Sequence, residues 1–133
     1  MRILLLVTLL AAAIPVSAQN RADRIPDASA TVTRAVAYHP AIRSAAARYA
    51  VDPRLLWTIA YLETRFRPQL VSHKGARGLM QFIPATGRRY GLLTRSDLHD
   101  PLQSIDAAAR YVRDLNSMFD GRVDLVLAGY KRG

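Results

Sequence analysis

Apolar residues recur along this chain at the spacing of an α-helix, and Asp-Pro pairs mark where two helices begin. Asp52-Pro53 and Asp100-Pro101 each place a capping side chain before a proline that fits the first helical turn. They predict helices over residues 54–66 and about 104–119. Weaker signals of the same kind predict shorter helices over residues 41–50, 78–83, 84–89 and 124–130. No segment alternates apolar and polar residues as a strand does, so the pattern predicts an all-α domain with little or no strand.

One charged residue lies inside the apolar stripe of the predicted helix 54–66. The stripe contains Leu56, Ile59 and Phe66, and Glu63 lies between the last two at helical spacing. A carboxyl group among apolar side chains has a raised pKa, because desolvation penalises its charged form, and a raised pKa suits a general acid. Periodicity alone favours the alternative that Glu63 lies at the edge of the stripe with its carboxylate in water.

The N-terminal segment has the three-part layout of a secretory signal peptide. A positive start at Arg2 is followed by an uncharged, Leu- and Ala-rich run over residues 3–14, and small residues end the segment. We predict that residues 1–18 are a cleaved signal peptide, which makes the protein periplasmic or secreted and leaves no stable membrane anchor. An uncleaved anchor is the alternative, although the run is shorter than the roughly 20 residues of a spanning helix. Residues 19–33 are polar, which predicts a flexible lead-in to one domain over residues 34–133.

Composition narrows the classes of function. The 133 residues include no Cys, and 19 Lys and Arg against 10 Asp and Glu give a net charge of +9. The lack of Cys excludes a disulfide scaffold, a Cys-ligated zinc site and a thiol nucleophile. Three scattered His show no metal-ligand spacing, so we expect no metal and no cofactor. The positive charge indicates a polyanionic neighbour. Because no nucleic-acid-binding motif occurs, we expect a cell-wall polymer and no nucleic acid.

Glu63, the only glutamate of the chain, is followed by a set of motif residues at characteristic distances along the sequence. The sequence reads ETRFRP over residues 63–68, SHKGARGLMQ over 72–81 and PAT over 84–86. It strongly resembles the catalytic domain of the soluble lytic transglycosylases, in the superfamily of goose-type lysozyme, whose pattern is ESxFxP, SxxGAxGLMQ and PxT. The resemblance covers roughly residues 40–133 and implies a lysozyme-like helical domain.

The resemblance implies one catalytic residue and a set of substrate-binding residues. Glu63 matches the sole catalytic carboxylate of the family. Tyr130 matches a tyrosine whose hydroxyl lies against that carboxylate, and Gln81 matches a residue that hydrogen-bonds a sugar. The expected substrate-binding positions are Thr64, Ser72, Gly78, Met80, Gln81 and Tyr130. Thr64 stands where the family usually has Ser, so a hydroxyl is retained.

The resemblance also implies a reaction. It is the cleavage of peptidoglycan strands at the β-1,4 bond between N-acetylmuramic acid (MurNAc) and N-acetylglucosamine (GlcNAc). Glu63 would protonate the bridging oxygen and then take the proton of the muramoyl 6-hydroxyl, which closes a 1,6-anhydro ring. Asp100 more plausibly caps a helix and Asp97 lies in a polar loop, so we expect neither to act as a second catalytic carboxylate. Short family members often accompany secretion or pilus machinery, and we expect a monomer.

Two other functions stay open at this point. A lysozyme-type muramidase would hydrolyse the same bond with water, and a non-catalytic glycan-binding or assembly protein would use the groove without cleaving the strand. Departures from the family pattern favour the second: Lys131 stands where an Asn is expected, Arg132 replaces a small residue and Ser104 replaces an Asn. Most relatives continue through a further helical segment, so a C-terminally truncated domain is one interpretation.

Overall fold

The computed structural model describes residues 25–133, and these form helices joined by turns. The helices are α1 (Ile25–Arg48), α2 (Pro53–Thr64), α3 (Pro84–Arg89), α4 (Arg95–His99), α5 (Pro101–Met118) and α6 (Val123–Arg132). Within the described residues there is no strand, and the prediction of an all-α fold is confirmed. The chain divides into two compact units, residues 1–30 and residues 31–133, and only the first turns of α1 are described in the former. The predicted signal peptide lies outside the described residues.

Helix α1 is longer than the sequence suggested. The predicted flexible lead-in over residues 19–33 is wrong from residue 25 onward, because α1 already begins there. Thr31 and Ala35 are buried at helical spacing and continue the stripe of Ile42, so packing overrides the polar composition of this segment. Pro40, which we expected to open a helix, instead lies inside α1. Residues 19–24 lie outside the part of the chain that the structure describes.

Helix α2 begins where its cap predicted and ends two residues early. The Asp52 carboxylate accepts a hydrogen bond from the Arg54 backbone N–H at 2.8 Å, as an N-cap does. At the other end Arg65 and Phe66 adopt positive φ angles of 50° and 61°, which stop the helix at Thr64. The bend buries Phe66 in the core, where that packing offsets the cost of the unusual backbone. Glu63 therefore lies in the last turn of α2.

The predicted helix over residues 78–83 is wrong, and the segment is a turn closed by a β-bridge. Arg77 and Phe82 exchange two backbone hydrogen bonds, of 3.0 and 3.1 Å. Gly78 has a φ of +77°, and a Cβ at that position would lie 1.8 Å from the backbone oxygen of Leu98. Only glycine fits so close an approach. The positive φ of Gly78 also lies outside the α-helical region, so a helix cannot run through this position.

Two carboxylates that were weighed as second catalytic groups belong to helix caps. Asp100 accepts from the Gln103 backbone N–H at 3.0 Å and caps α5, as predicted. Asp97 lies in α4, a helix that the sequence did not predict, where it forms a capping box with Thr94. Hydrogen bonds, chiefly with Thr94, hold the pKa of Asp97 below its usual range. Both carboxylates thus accept hydrogen bonds from backbone N–H groups at the starts of helices.

Helix α5 is the central element that brings α2 and α6 together. It packs against α2, α4 and α6, and α2 also packs against α6. Three successive alanines of α5, residues 107–109, are fully buried, and their small side chains allow the neighbouring helices to approach closely. The ring of Tyr111 in α5 packs at a tilt against the ring of Tyr130 in α6, with 5.0 Å between the ring centroids. This packing places the last turn of α2, with Glu63, beside the end of α6.

Candidate active site

Glu63 lies where two cavities meet. Both cavities are also lined by Tyr130 and Lys131 of α6. The first, of about 380 Å³, is called here the apolar cavity; its other lining residues are Ile59, Leu62, Leu127 and Ala128. The second, of about 260 Å³, is called the basic cavity; its other lining residues are Ser72, His73, Lys74, Ala76, Gln81, Ile83 and Gly133. A chain molecule that crosses Glu63 can therefore occupy space on both sides of the carboxyl group.

The electrostatics of Glu63 are those of a general acid. The carboxyl group is half-buried, and this desolvation raises its pKa, while the nearby charge of Lys131 partly opposes the rise. Of the two alternatives that the sequence left open for Glu63, the structure has the half-buried carboxyl group rather than the one in water. A carboxyl group with a raised pKa keeps more of its proton as the pH approaches neutrality, which is the form that can protonate a leaving oxygen.

Tyr130 is a buried, neutral phenol beside Glu63. Its hydroxyl donates a hydrogen bond of 2.9 Å to the backbone oxygen of Met80. Burial raises the pKa of Tyr130 well above its ordinary value, and the charge of Glu63 adds to the rise. Because its proton is committed to Met80, the phenol presents its oxygen lone pairs rather than its proton to the site. The bond also fixes α6 to the turn over residues 78–81.

Thr64, a predicted substrate-binding residue, lines neither cavity. Its side chain is 2% exposed, and its hydroxyl lies 2.9 Å from the backbone oxygen of Leu79 and 3.1 Å from that of Ala60. The backbone N–H of Arg67 donates to the same hydroxyl at 3.3 Å. Thr64 therefore anchors the end of α2 to the neighbouring turn and positions Glu63 without touching a ligand.

Gly78 and Met80, two of the predicted substrate-binding residues, are likewise buried and line neither cavity. Met80 is fully buried in the core, and Gly78 packs against the backbone of Leu98. Their motif positions are explained by packing: the glycine allows the close approach, and the Met80 backbone oxygen receives the Tyr130 hydroxyl. These residues shape the wall of the basic cavity from behind.

Gln81 and Ser72 line the basic cavity as the sequence analysis expected. The Gln81 side-chain nitrogen donates to the backbone oxygens of Gly78 at 2.9 Å and Leu70 at 3.1 Å, which leaves the amide oxygen as its acceptor. The Ser72 hydroxyl accepts from the backbone N–H of Ala76 at 3.0 Å and retains its own proton to donate. The pair thus offers one acceptor and one donor to a ligand rich in hydroxyl groups.

Most of the remaining lining residues were not predicted from the sequence. His73 and Lys74 lie at variable positions inside the motif, and Leu62 and Ala128 lie on the exposed faces of α2 and α6. The available signal was their spacing: Leu62 precedes Glu63 directly, and Ala128 lies three residues before Lys131. Within residues 25–133, no three His, Asp or Glu side chains converge as a metal site would require, and none of the helices is long and apolar enough to cross a membrane.

Comparison with known proteins decides the family. Residues 40–133 match the family model described as the transglycosylase SLT domain. The chain belongs to this family. The resemblance drawn from the motif around Glu63 is therefore confirmed.

The SLT chain is similar to curated proteins that are much longer. It is 37% identical over 106 residues to membrane-bound lytic murein transglycosylase C of Haemophilus ducreyi, covering 73% of this chain and 29% of the relative. It is 36% identical over 99 residues to the protein of the same name from Klebsiella pneumoniae, covering 68% and 28%. The match to membrane-bound lytic murein transglycosylase F of Cellvibrio japonicus is 36% over 99 residues, covering 70% and 19%. The chain thus matches less than a third of the length of these relatives.

Proposed function

We propose that this protein is a peptidoglycan lytic transglycosylase that cleaves the MurNAc–GlcNAc β-1,4 bond and leaves a 1,6-anhydro-MurNAc end. The observation that carries the proposal is the single half-buried carboxyl group of Glu63 at the junction of two cavities. Among the described residues, no other Asp or Glu lines either cavity. The names of the relatives, murein transglycosylases, agree with this reaction class.

One carboxyl group is enough if the substrate supplies the nucleophile. Glycosidases of the common kinds need a second carboxylate, either to activate water or to bond the sugar. Here the protonated Glu63 donates its proton to the bridging oxygen, and the GlcNAc leaves with that proton. The acetamido group of MurNAc stabilises the cationic carbon. The resulting Glu63 carboxylate takes the proton of the 6-hydroxyl, whose oxygen bonds to that carbon and closes the anhydro ring.

The two cavities suit different parts of a glycan strand. The apolar cavity offers aliphatic side chains, including Ile59 and Leu127, to the apolar faces of sugar rings. The basic cavity offers Ser72 and Gln81, whose free donor and acceptor suit sugar hydroxyl and acetamido groups. We therefore place the scissile bond at Glu63 with sugars on both sides. Tyr130 keeps the wall between the two cavities fixed.

Product mass tests the reaction. Purified sacculi digested with the protein should release muropeptides with anhydro ends, each lighter by one water molecule than the product of a muramidase. Glu63→Gln should release none, and Asp97→Asn, which changes a carboxylate outside both cavities, should release the same products as the wild type. If the wild type released hydrolysed, reducing ends instead, the protein would be a muramidase and this proposal would be wrong. Binding to sacculi without release would replace it by the non-catalytic one.

We further propose that the protein acts as an exported monomer, in the periplasm or outside the cell, and that it serves a secretion or pilus system. The support for export is the charge and apolarity pattern of residues 1–18. A fusion of residues 1–33 to a reporter enzyme that is active only after export should give reporter activity. Replacing several Leu of residues 3–14 by charged residues should abolish that activity, and activity that survives this change would contradict the proposed signal.

A further inference from the structure

The basic cavity carries more positive charge than the proposed cleavage of a neutral glycosidic bond requires. Lys74, Lys131 and His73 all line it. Glu63 is the one acidic residue among its lining residues. In the reactive form Glu63 is protonated and neutral. The cavity then presents two ammonium groups with no opposing side-chain charge among its lining residues.

Some basic side chains elsewhere on the surface are paired with aspartates. Arg54 pairs with Asp52 at 2.7 Å, and Arg48 pairs with Asp106 at 2.6 Å. Within residues 25–133, neither Lys74 nor Lys131 forms such a salt bridge. The two lysines are therefore the basic groups that remain available to an anion beside Glu63.

The proposed substrate carries anions of one chemical class near the scissile bond. The lactyl ether of MurNAc ends in a carboxyl group, which is a free carboxylate where the stem peptide has been removed. Where the peptide is present, its own side chains and C-terminus carry carboxylates instead. The lactyl group belongs to the sugar whose bond is cleaved, so it lies within about one ring of the atom that Glu63 protonates.

We propose that Lys131 and Lys74 bind a carboxylate of the glycan strand next to the scissile bond, which makes the protein selective for strands with a free lactyl carboxylate. The inference rests on the proposed function, since it names a specificity of the same site. It also gives a role to Lys131, the residue that stands in place of the expected Asn. A charged side chain there exchanges a general sugar contact for recognition of an anion.

Binding of defined oligosaccharides to Glu63→Gln tests the inference, because that variant leaves the strand intact. Three GlcNAc-MurNAc tetrasaccharides differ only at the lactyl group: free carboxylate, methyl amide, and stem peptide. Calorimetry should show about fivefold tighter binding of the free carboxylate than of the methyl amide, the upper range for a solvent-exposed ion pair. Raising the salt concentration from about 0.01 M to about 1 M should remove the preference.

Matched variants assign the effect to the two lysines. Lys131→Met and Lys74→Met, each in the Glu63→Gln background, should lower the ratio of the two affinities, free carboxylate over methyl amide, towards a value of one. Lys131→Arg should keep the ratio of the parent protein. Arg132→Met removes the same charge from a neighbouring residue that lines neither cavity, and it should keep the full preference.

Each remaining outcome decides the point. Tightest binding of the peptide-bearing sugar, lost in Lys131→Met, supports the carboxylate site but overturns its selectivity for the free lactyl group, because the anion then comes from the peptide. Equal binding of free carboxylate and methyl amide overturns the inference, and so does absence of binding to all three sugars. Neither of these results touches the proposed function, which stands or falls separately on whether the wild type releases anhydro ends from sacculi.

Discussion

The two ends of helix α2 carry carboxyl groups in opposite circumstances. Asp52 precedes the first turn, where hydrogen bonds from the side chain and backbone of Arg54 hold its pKa below the usual range. Glu63 lies in the last turn, where burial raises its pKa. A negative charge is favourable at a helix N-terminus and unfavourable at the C-terminus. Asp52 is therefore placed to stabilise the fold, and Glu63 is placed where its charge is disfavoured and its proton is retained.

Of the substitutions at or near the two ends of α2, we expect the one at Glu63 to have the largest effect on turnover. Glu63→Gln removes the transferable proton, so we expect turnover to fall by at least roughly 10²–10⁴-fold, the usual contribution of a general acid, which leaves no detectable product in a sacculus digest. Stability should change in the other direction. Because the pKa of Glu63 is raised in the folded state, the wild type loses stability as the pH rises from the unfolded pKa through the folded one, and the amide lacks this loss. Thermal melts across this pH range check it, and a wild type that gains stability relative to Glu63→Gln as the pH rises would contradict it.

Tyr130→Phe should have the next largest effect, because it removes the bond that fixes the wall beside Glu63. The variant leaves the backbone oxygen of Met80 buried without its donor, which should cost about 1–3 kcal/mol of unfolding free energy. We also expect about a tenfold fall in kcat, since Glu63 and its wall are less well positioned. Denaturant titration and initial rates measure the two quantities. Unchanged kcat in a well-folded variant would show that the phenol has no positioning role.

Lys131→Met removes the charge that opposes the rise in the pKa of Glu63 caused by burial. Because the Lys131 charge lowers the pKa of Glu63, its removal should raise that pKa further. The reaction needs protonated Glu63, so the alkaline limb of the rate profile should move to higher pH. Arg132→Met serves as the control and should leave the limb in place. A limb that moves to lower pH in Lys131→Met would refute the assignment of that limb to Glu63.

The smallest effect on activity is expected at the other end of the same helix. Asp52→Ala removes the N-cap of α2, so the melting temperature should fall by about 2–8 °C. Asp52→Asn keeps a capping oxygen and should restore most of the loss. The rate per folded molecule should match the wild type in both variants. A large fall in that rate would mean that the first turn of α2 also takes part in the site.

Local signals were enough to predict the parts of the fold that depend on local bonding. The caps at Asp52 and Asp100 are formed between residues at most three apart, and both were predicted correctly. The stripe around Glu63 follows from helical periodicity, but periodicity alone favoured a carboxylate in water, whereas the structure half-buries it. The start of α1 was missed because Thr31 is buried by tertiary packing, to which a polar composition gives no clue.

The candidate site was predictable in its members and less so in their roles. A motif shows which positions are restricted but not whether the restriction comes from a ligand or from packing. Thr64, Gly78 and Met80 are restricted by packing, and Gln81 and Ser72 line the cavity. The hydrogen bond from Tyr130 to Met80 joins residues fifty positions apart, so it depends on the folded arrangement of α6 against the turn.

The central claim is that one carboxyl group acts first as acid and then as base, with the substrate's own hydroxyl as nucleophile. Digestion of sacculi in water enriched in the heavy oxygen isotope tests this most directly. The account predicts that the wild type releases anhydro-ended products whose new ends contain no heavy oxygen, and that Glu63→Gln releases none. Heavy oxygen at the newly formed ends would show that water is the nucleophile and would contradict the account.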